Sequence, residues 1–135
     1  MSLRETVSHV LEEYLEAIWR LHEKTGPVRT GELAHELGVT PGAVTNTLTH
    51  LEKHKLAVRK PYRGIELTEK GRAMALRMIR KHRLAERLLT EVLRMDWSGV
   101  HDTACELEHA MTDEMIRPLE KTLKEPTTCP HGNPI

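Results

Sequence analysis

Residues 30–54 read TGELAHELGVTPGAVTNTLTHLEKH, two short helices about a tight turn. Thr30 is placed to cap a helix carrying Leu33, Ala34 and Leu37, and Gly38 ends it. Thr40-Pro41 then opens a second helix as N-cap and first-turn proline, with Val44, Leu48 and Leu51 recurring at helical spacing to about His54. Two helices joined through Gly38-Val39 form the helix-turn-helix pattern. Working outward, Val10, Leu11, Tyr14, Leu15, Ile18, Trp19 and Leu21 mark a preceding helix closed by Gly26-Pro27. On the other side, Leu56-Ala57-Val58 and Ile65-Glu66-Leu67 flank the basic tip Pro61-Tyr62-Arg63-Gly64, the pattern of a two-stranded wing.

Beyond the wing the pattern is helical throughout. Thr68, three residues before Gly71, is a cap signal for a long helix carrying Met74, Leu76, Met78, Ile79, Leu84, Leu88, Leu89 and Leu93, expected to end near Asp96. A further helical segment begins near Ser98 and carries Val100, Ala104, Leu107, Ala110, Met111, Met115, Leu119 and Leu123, with a break expected near Thr112 or Pro118. The proline-containing tail from Pro126 cannot continue a helix. These elements predict a mainly α chain with an N-terminal winged helix-turn-helix over 1–72, a helical domain over 73–125 and a tail over 126–135.

Composition narrows the function classes. The chain has 135 residues, no Phe, two Trp and two Tyr, which argues against an aromatic platform for single-stranded nucleic acid. No apolar run approaches the roughly 20 residues of a membrane span, so a cytoplasmic protein with no membrane partner is expected. Two cysteines, Cys105 and Cys129, are too few for a disulfide framework. Lys+Arg and Asp+Glu balance at 20 each, yet they are unevenly placed. Between Lys53 and Arg87 twelve basic residues face only Glu66, Glu69 and Glu86, whereas acids predominate from Asp102 to Glu125. The first stretch suits phosphate, and the second, with His101 and His109 in or beside it, suits a cation.

A recognition helix presents its N-terminal residues to base edges in the major groove. The exposed candidates are Thr40, Gly42, Ala43, Thr45 and Asn46, joined by Thr30 at the start of the preceding helix. Asn46 can pair with adenine through two hydrogen bonds, and Ala43 or Thr45 can touch a thymine methyl. Lys53, Arg59, Lys60 and Arg63 would then hold phosphates. Read blandly, the same charges form an ordinary solvated face on a small three-helix domain.

On one helix face His101, Cys105, Glu108 and His109 stand at i, i+4, i+7 and i+8, so four potential ligands share a stripe. His82 and Glu86 are one turn apart on the preceding helix, and Glu13 and Glu16 are three apart on the first. Carboxylates favour Mn(II), while a thiolate favours Fe(II), Co(II) or Zn(II), and spacing does not choose among them. Taken singly, a helix histidine is more often a surface group, Cys105 a small buried hydrophobe, and Glu13 and Glu16 a solvated acidic face. Cys129-Pro130-His131 is either a ligand pair in a rigid turn or simply tail.

Three stretches carry a resemblance: KHRLAERLL at 81–89, VHDTACELEH at 100–109, and the closing CPHGNPI at 129–135. With them the sequence resembles the diphtheria toxin repressor family of iron- and manganese-dependent repressors, over nearly the whole chain. The resemblance implies a winged helix followed by a helical dimerisation domain. It also implies a homodimer whose affinity for double-stranded palindromic operator DNA rises with Mn(II) or Fe(II), controlling metal homeostasis genes. Zn(II), Co(II) or Ni(II) would be possible substitutes in vitro. By the same resemblance His82, Glu86 and His101 belong to one metal site, and Glu13, Cys105, Glu108 and His109 to another. Iron-sensing members resemble this chain at Cys105 but carry methionine at the position of Glu13. Manganese-sensing members resemble it at Glu13 and Glu16 but usually carry a carboxylate at the position of Cys105, so the set is a hybrid. In some manganese-sensing members the Cys-Pro-His turn supplies ligands with the position of Glu86, which implicates Cys129 and His131. Gly42 replaces a larger side chain common in relatives, so base-reading positions transfer loosely. Longer relatives continue from Gly-Asn-Pro-Ile into a linker and an SH3-like domain, which leaves either a truncated chain or a natural two-domain member.

The alternative is a winged-helix regulator switched by a small molecule or by oxidation of Cys105, which predicts tight DNA binding in chelator. Enzyme activity is not expected, because Asp113 stands where a metalloprotease would have a second histidine and no nucleophile or oxyanion motif is evident.

Overall fold

The computed structural model describes residues 3–124, which fall into two compact units divided between Leu76 and Arg77. In the first unit, α1 (Leu3–Thr25), α2 (Thr30–Leu37) and α3 (Pro41–Lys53) precede a hairpin of β1 (Ala57–Lys60) and β2 (Gly64–Leu67), and α4 (Glu69–Arg87) begins. Its core is aliphatic, as a chain without Phe requires. Leu15 and Ile18 of α1, Leu33 of α2, Val44, Leu48 and Leu51 of α3, and Ile65 of β2 are buried in one cluster. Each such side chain contributes roughly 1.5–3 kcal/mol by leaving water.

The helix-turn-helix forms as its turn chemistry dictates. Thr40 caps α3, its hydroxyl oxygen accepting from the Ala43 N–H at 3.1 Å, and Pro41 follows at the first helical position. The start of α2 differs from the sequence expectation. Arg29, not Thr30, is the cap residue, and Thr30 is already helical. The Arg29 N–H donates to the Glu32 carboxylate at 3.3 Å, so the acid in the first turn reaches back to hold the N–H of the cap residue itself. The wing strands pair antiparallel in the register Ala57–Leu67 to Lys60–Gly64, displaced toward the tip from the expected spans. Val28 adds a third, one-residue strand against Ile65.

Helix α4 begins against the wing. The Thr68 N–H donates to the Leu56 carbonyl at 3.1 Å, the Thr68 hydroxyl donates to that of Lys55 at 2.7 Å, and Thr68 Oγ1 accepts from the Gly71 N–H at 3.0 Å. This packs the first turn of α4 onto Leu56 so closely that a Cβ on Gly71 would stand 1.9 Å from the Leu56 carbonyl oxygen.

In the second unit α4 stops at Arg87, short of the expected end near Asp96. A π-helical turn follows over Leu88–Val92, with the Leu93 N–H reaching back to Leu88, and Arg94 then takes a left-handed conformation at φ 59°. That conformation cannot continue a right-handed helix. A 3-10 turn at Trp97–Gly99, capped by the Asp96 carboxylate, leads into α5 (His101–Ala110) and then α6 (Asp113–Thr122). Of the two breaks considered, the chain uses Met111–Thr112 and carries Pro118 inside α6. Leu84, Ala85, Leu89, Val100, Ala104, Met111 and Leu123 form the core. Ion pairs tie α4 to α6: Arg80 to Glu120 at 2.7 Å and Lys81 to Asp113 at 3.1 Å. The Lys81 ammonium and the Arg80 guanidinium hold the carboxyls of Asp113 and Glu120 below their usual range.

Candidate metal centre and nucleic-acid face

The second unit gathers chemistry where α4 packs on α5. Glu86 and Glu108 are 3% and 1% exposed, and His82 lies between them. His82 Nε2 is 2.5 Å from Glu86 Oε1, and His82 Nδ1 is 3.2 Å from Glu108 Oε2. Burial disfavours the imidazolium, but contacts with Cys105, Glu108 and Glu86 outweigh it and raise the His82 pKa to about 11. Cys105 Sγ lies 3.8 Å from His82 Nδ1 and 3.6 Å from His101 Nε2, and the two rings are tilted with centroids 4.7 Å apart. His109 Nε2 is 3.7 Å from Glu108 Oε1.

Six residues expected from the sequence, His82, Glu86, His101, Cys105, Glu108 and His109, thus form one continuous chain of contacts. Helical spacing explains the pairs within each helix, and the packing of α4 on α5 joins them. The donor set suits a divalent cation. Two buried carboxylates are expensive in a low-dielectric interior. His82 Nε2 and Glu108 Oε2 are fully buried without a well-formed hydrogen bond, so the atoms that a cation would engage are already desolvated. Among the described residues, His82, His101 and Cys105 are a group of three whose ligand atoms all lie within 4.8 Å of one another.

In the first unit Glu13 is exposed, whereas Glu16 is buried, its Oε2 3.4 Å from the Arg20 guanidinium. Cys129 and His131 lie outside the described residues.

The nucleic-acid candidates fall on α3, the wing and the start of α2. Thr40, Gly42, Ala43, Thr45 and Asn46 are exposed on the first turns of α3, while Val44 between them is buried. The Thr45 hydroxyl donates to the Pro41 carbonyl at 3.1 Å. Lys53 and Arg63 are exposed, and Thr30 is half-buried. Two of the expected phosphate contacts are engaged within the protein: Arg59 with Glu52 at 2.6 Å and Lys60 with Glu66 at 2.9 Å. Sequence reading passed over Arg29. It lines a cleft of about 330 Å³ with Thr25, Pro27, Glu32, Tyr62 and Arg63, placing two guanidinium groups beside the N-terminus of α2 and the wing tip. Tyr62 is fully exposed there with φ 64°.

A winged helix joined in one chain to a helical unit with a partly buried His/Glu/Cys cluster defines a winged-helix protein with a metal-ligating domain. Residues 6–65 match the family model described as the iron dependent repressor N-terminal DNA binding domain, and residues 68–135 match the iron dependent repressor metal binding and dimerisation domain. The chain is 43% identical over 124 residues to the iron-dependent repressor IdeR of Mycobacterium tuberculosis, covering 92% of this chain and 54% of that protein. It is 40% identical over 124 residues to the diphtheria toxin repressor of Corynebacterium diphtheriae, covering 92% of this chain and 55% of that one. A solved manganese-dependent transcriptional repressor in complex with manganese superposes with a TM-score of 0.85 at 35% identity, covering 93% of this chain and 57% of that chain. The chain belongs to the diphtheria toxin repressor family of iron-dependent repressors. It spans about half the length of the curated relatives it matches. Among the described residues no helix is long and apolar enough to cross a membrane.

Proposed function

We propose that this chain is a cytoplasmic, metal-dependent transcriptional repressor that binds palindromic operator DNA as a homodimer and controls metal homeostasis genes. The observation that carries the reading is the cluster of buried His82, Glu86 and Glu108 with half-buried Cys105, in one chain with an exposed recognition helix. Mn(II) or Fe(II) would supply positive charge to the desolvated carboxylates. His82, Glu86, His101, Cys105, Glu108 and His109 would hold it, with Glu13, Glu16, Cys129 and His131 as further candidate ligands. The domains we assign are 1–72 for DNA binding and 73–125 for metal binding and dimerisation, with 126–135 as tail. Regulation requires the cation to favour the DNA-competent arrangement over others, since equal affinity for both would shift nothing. The chain's residues in this scheme bind and orient, and none is assigned a catalytic step.

Base reading falls to Asn46, with Ala43 and Thr45 beside it. Thr40 and Gly42 share the N-terminal turn presented to base edges, and Thr30, Arg29, Lys53, Arg59, Lys60 and Arg63 face the DNA backbone. Lys60 and Arg59 exchange a carboxylate for phosphate, which lowers the net gain from each. Asn46→Ala should weaken binding to a selected palindromic duplex by roughly 5–150-fold, the loss of about 1–3 kcal/mol from one two-bond base contact. Fluorescence anisotropy measures it, and unchanged affinity would remove α3 as the base-reading helix.

For the homodimer the supporting feature is a run of exposed apolar side chains after α4. Val92, Leu93 and Trp97 are 50%, 60% and 58% exposed. A second copy of the same chain would cover it in a self-complementary contact. Leu93→Glu places a charge in that contact, so sedimentation should show a monomer at concentrations where the parent is dimeric. A dimer of undiminished stability would place the interface elsewhere.

A further inference from the structure

We infer that the wing tip enters the minor groove of the duplex, beside the major groove read by α3, and that Tyr62 and Arg63 select A·T pairs there. The inference rests on the DNA-binding reading and deepens it. Arg63 lies between the two phosphate backbones rather than against one, and the wing takes part in base selection.

The wing is fixed to the recognition helix and to the start of α2. On the β1 side, Nε and Nη2 of Arg59 reach the same Glu52 oxygen on α3, at 2.8 and 2.6 Å. On the β2 side, the Ile65 N–H donates to the Val28 carbonyl at 2.7 Å. Gly64, with φ 91°, lies so close to this bridge that a Cβ there would stand 2.5 Å from the Val28 oxygen. Across the strands Lys60 Nζ meets Glu66 Oε2 at 2.9 Å. A wing held on both edges carries its tip to one place on a duplex whose major groove holds α3. From buried Ala57 to exposed Lys60 the strand advances about 10 Å, so the tip stands clear of the core.

The fold makes no use of the tip. Tyr62 is fully exposed, and its backbone is left-handed at φ 64°, a conformation unfavourable for tyrosine. A residue kept in that state gains nothing from burial, and such outliers cluster where a ligand is met. The Arg63 guanidinium beside it has no ion-pair partner among the described residues, whereas Arg59 and Lys60 each hold a carboxylate. A phosphate would engage the guanidinium and leave the ring in water. The minor groove engages both. Its deoxyribose walls offer C–H surface to the ring, and narrow A·T stretches concentrate the negative potential that draws arginine in. The adenine N3 and thymine O2 acceptors suit the tyrosine hydroxyl and the guanidinium, while the guanine N2 amino group, itself a donor, opposes both. Arg29, across the cleft from Tyr62 and Arg63, brings further positive charge to the adjoining backbone.

The test is selection of the tightest-bound sequence from a random duplex pool by the full chain with Mn(II), Fe(II) or Zn(II), followed by fluorescence anisotropy on flank variants. A·T pairs should recur about half a helical turn, about 5 base pairs, from the bases read by α3. Replacing them with G·C should weaken binding by about fivefold or more. Inosine·cytosine pairs, which lack the N2 amino group but keep the major-groove face of G·C, should restore it. Tyr62→Ala and Arg63→Ala should each reduce the discrimination between A·T and G·C flanks, with no fall in the urea midpoint, since both side chains are exposed. Asn46→Ala should weaken binding but keep the flank preference. Equal affinity for A·T and G·C flanks, inosine·cytosine binding as weakly as G·C, or a preference surviving both wing variants overturns the minor-groove contact. If Asn46→Ala still weakens binding in that case, the repressor reading stands without it; no duplex bound with any of the three metals overturns the two together.

Discussion

Glu108→Gln should lower metal affinity by about 100-fold or more while leaving the helical unit folded. Glu108 is 1% exposed, with Oε2 3.2 Å from His82 and buried without a well-formed hydrogen bond. An amide has nearly the same shape but no charge, so the loss falls on cation binding rather than packing. A hundredfold corresponds to about 2.8 kcal/mol, larger than most surface substitutions produce in any property. Thermal melts separate the two effects. In chelator the Gln protein should be somewhat less stable than the parent, because the buried His82 imidazolium has lost one of its carboxylate partners. With metal at 100 times the parent's Kd, the parent should gain about 2.7 kcal/mol and the variant about 0.4 kcal/mol or less. Glu106→Gln, exposed on the same helix, serves as the control and should behave as parent. Equal metal-induced stabilisation in parent and Glu108→Gln protein would show that the cluster is not the binding site.

Gly71→Ala should destabilise the first unit by about 3 kcal/mol. Alanine is normally the better helix residue by about 1 kcal/mol, so propensity alone predicts a gain. Geometry reverses the sign, because the new Cβ would stand 1.9 Å from the Leu56 carbonyl oxygen and 2.8 Å from its carbon. Those are backbone atoms whose carbonyl already accepts the Thr68 N–H, so neither side can yield without opening the junction of wing and α4. Overpacking of this kind typically destabilises by about 1–3 kcal/mol and occasionally more. Only two tryptophans are present, so Trp97→Phe leaves Trp19 as a reporter of the first unit. Urea titration on that background should show the midpoint falling sharply for Gly71→Ala. Gly31→Ala, helical and with nothing within 4 Å of the added carbon, should not lower it. A midpoint unchanged by Gly71→Ala would mean the helix start is less closely packed than described.

The contrast between these two residues shows what a sequence discloses. Glu108 was legible because ligand chemistry repeats at helical spacing, and a stripe of His101, Cys105, Glu108 and His109 is a local pattern. Gly71 was visible only as a neighbour of a capping threonine. Its close contact is with a carbonyl fifteen positions away in sequence, and no local signal encodes that approach. The helix-turn-helix was legible for the same reason as the ligand stripe: Thr40-Pro41 and the apolar positions of α3 act within a few residues of one another. The end of α4 was not. Its apolar periodicity continues through Leu93, yet the backbone widens into a π turn and Arg94 turns left-handed, allowing the chain to return as α5. Nor could spacing show that Cys105 meets His82, since that contact arises from α4 packing on α5. The start of α2 missed by one residue because Arg29 takes the cap position with its N–H held by the Glu32 carboxylate three residues on, which leaves Thr30 already helical.

The most direct test of a metal-dependent repressor is the affinity of the full chain for a selected palindromic duplex, measured by fluorescence anisotropy in chelator and then with Mn(II), anaerobic Fe(II) or Zn(II). The account predicts binding that appears only with metal, and that is lost in Glu108→Gln protein at the same metal concentration. Equally tight binding in chelator would contradict it and favour a winged helix controlled by something other than a cation.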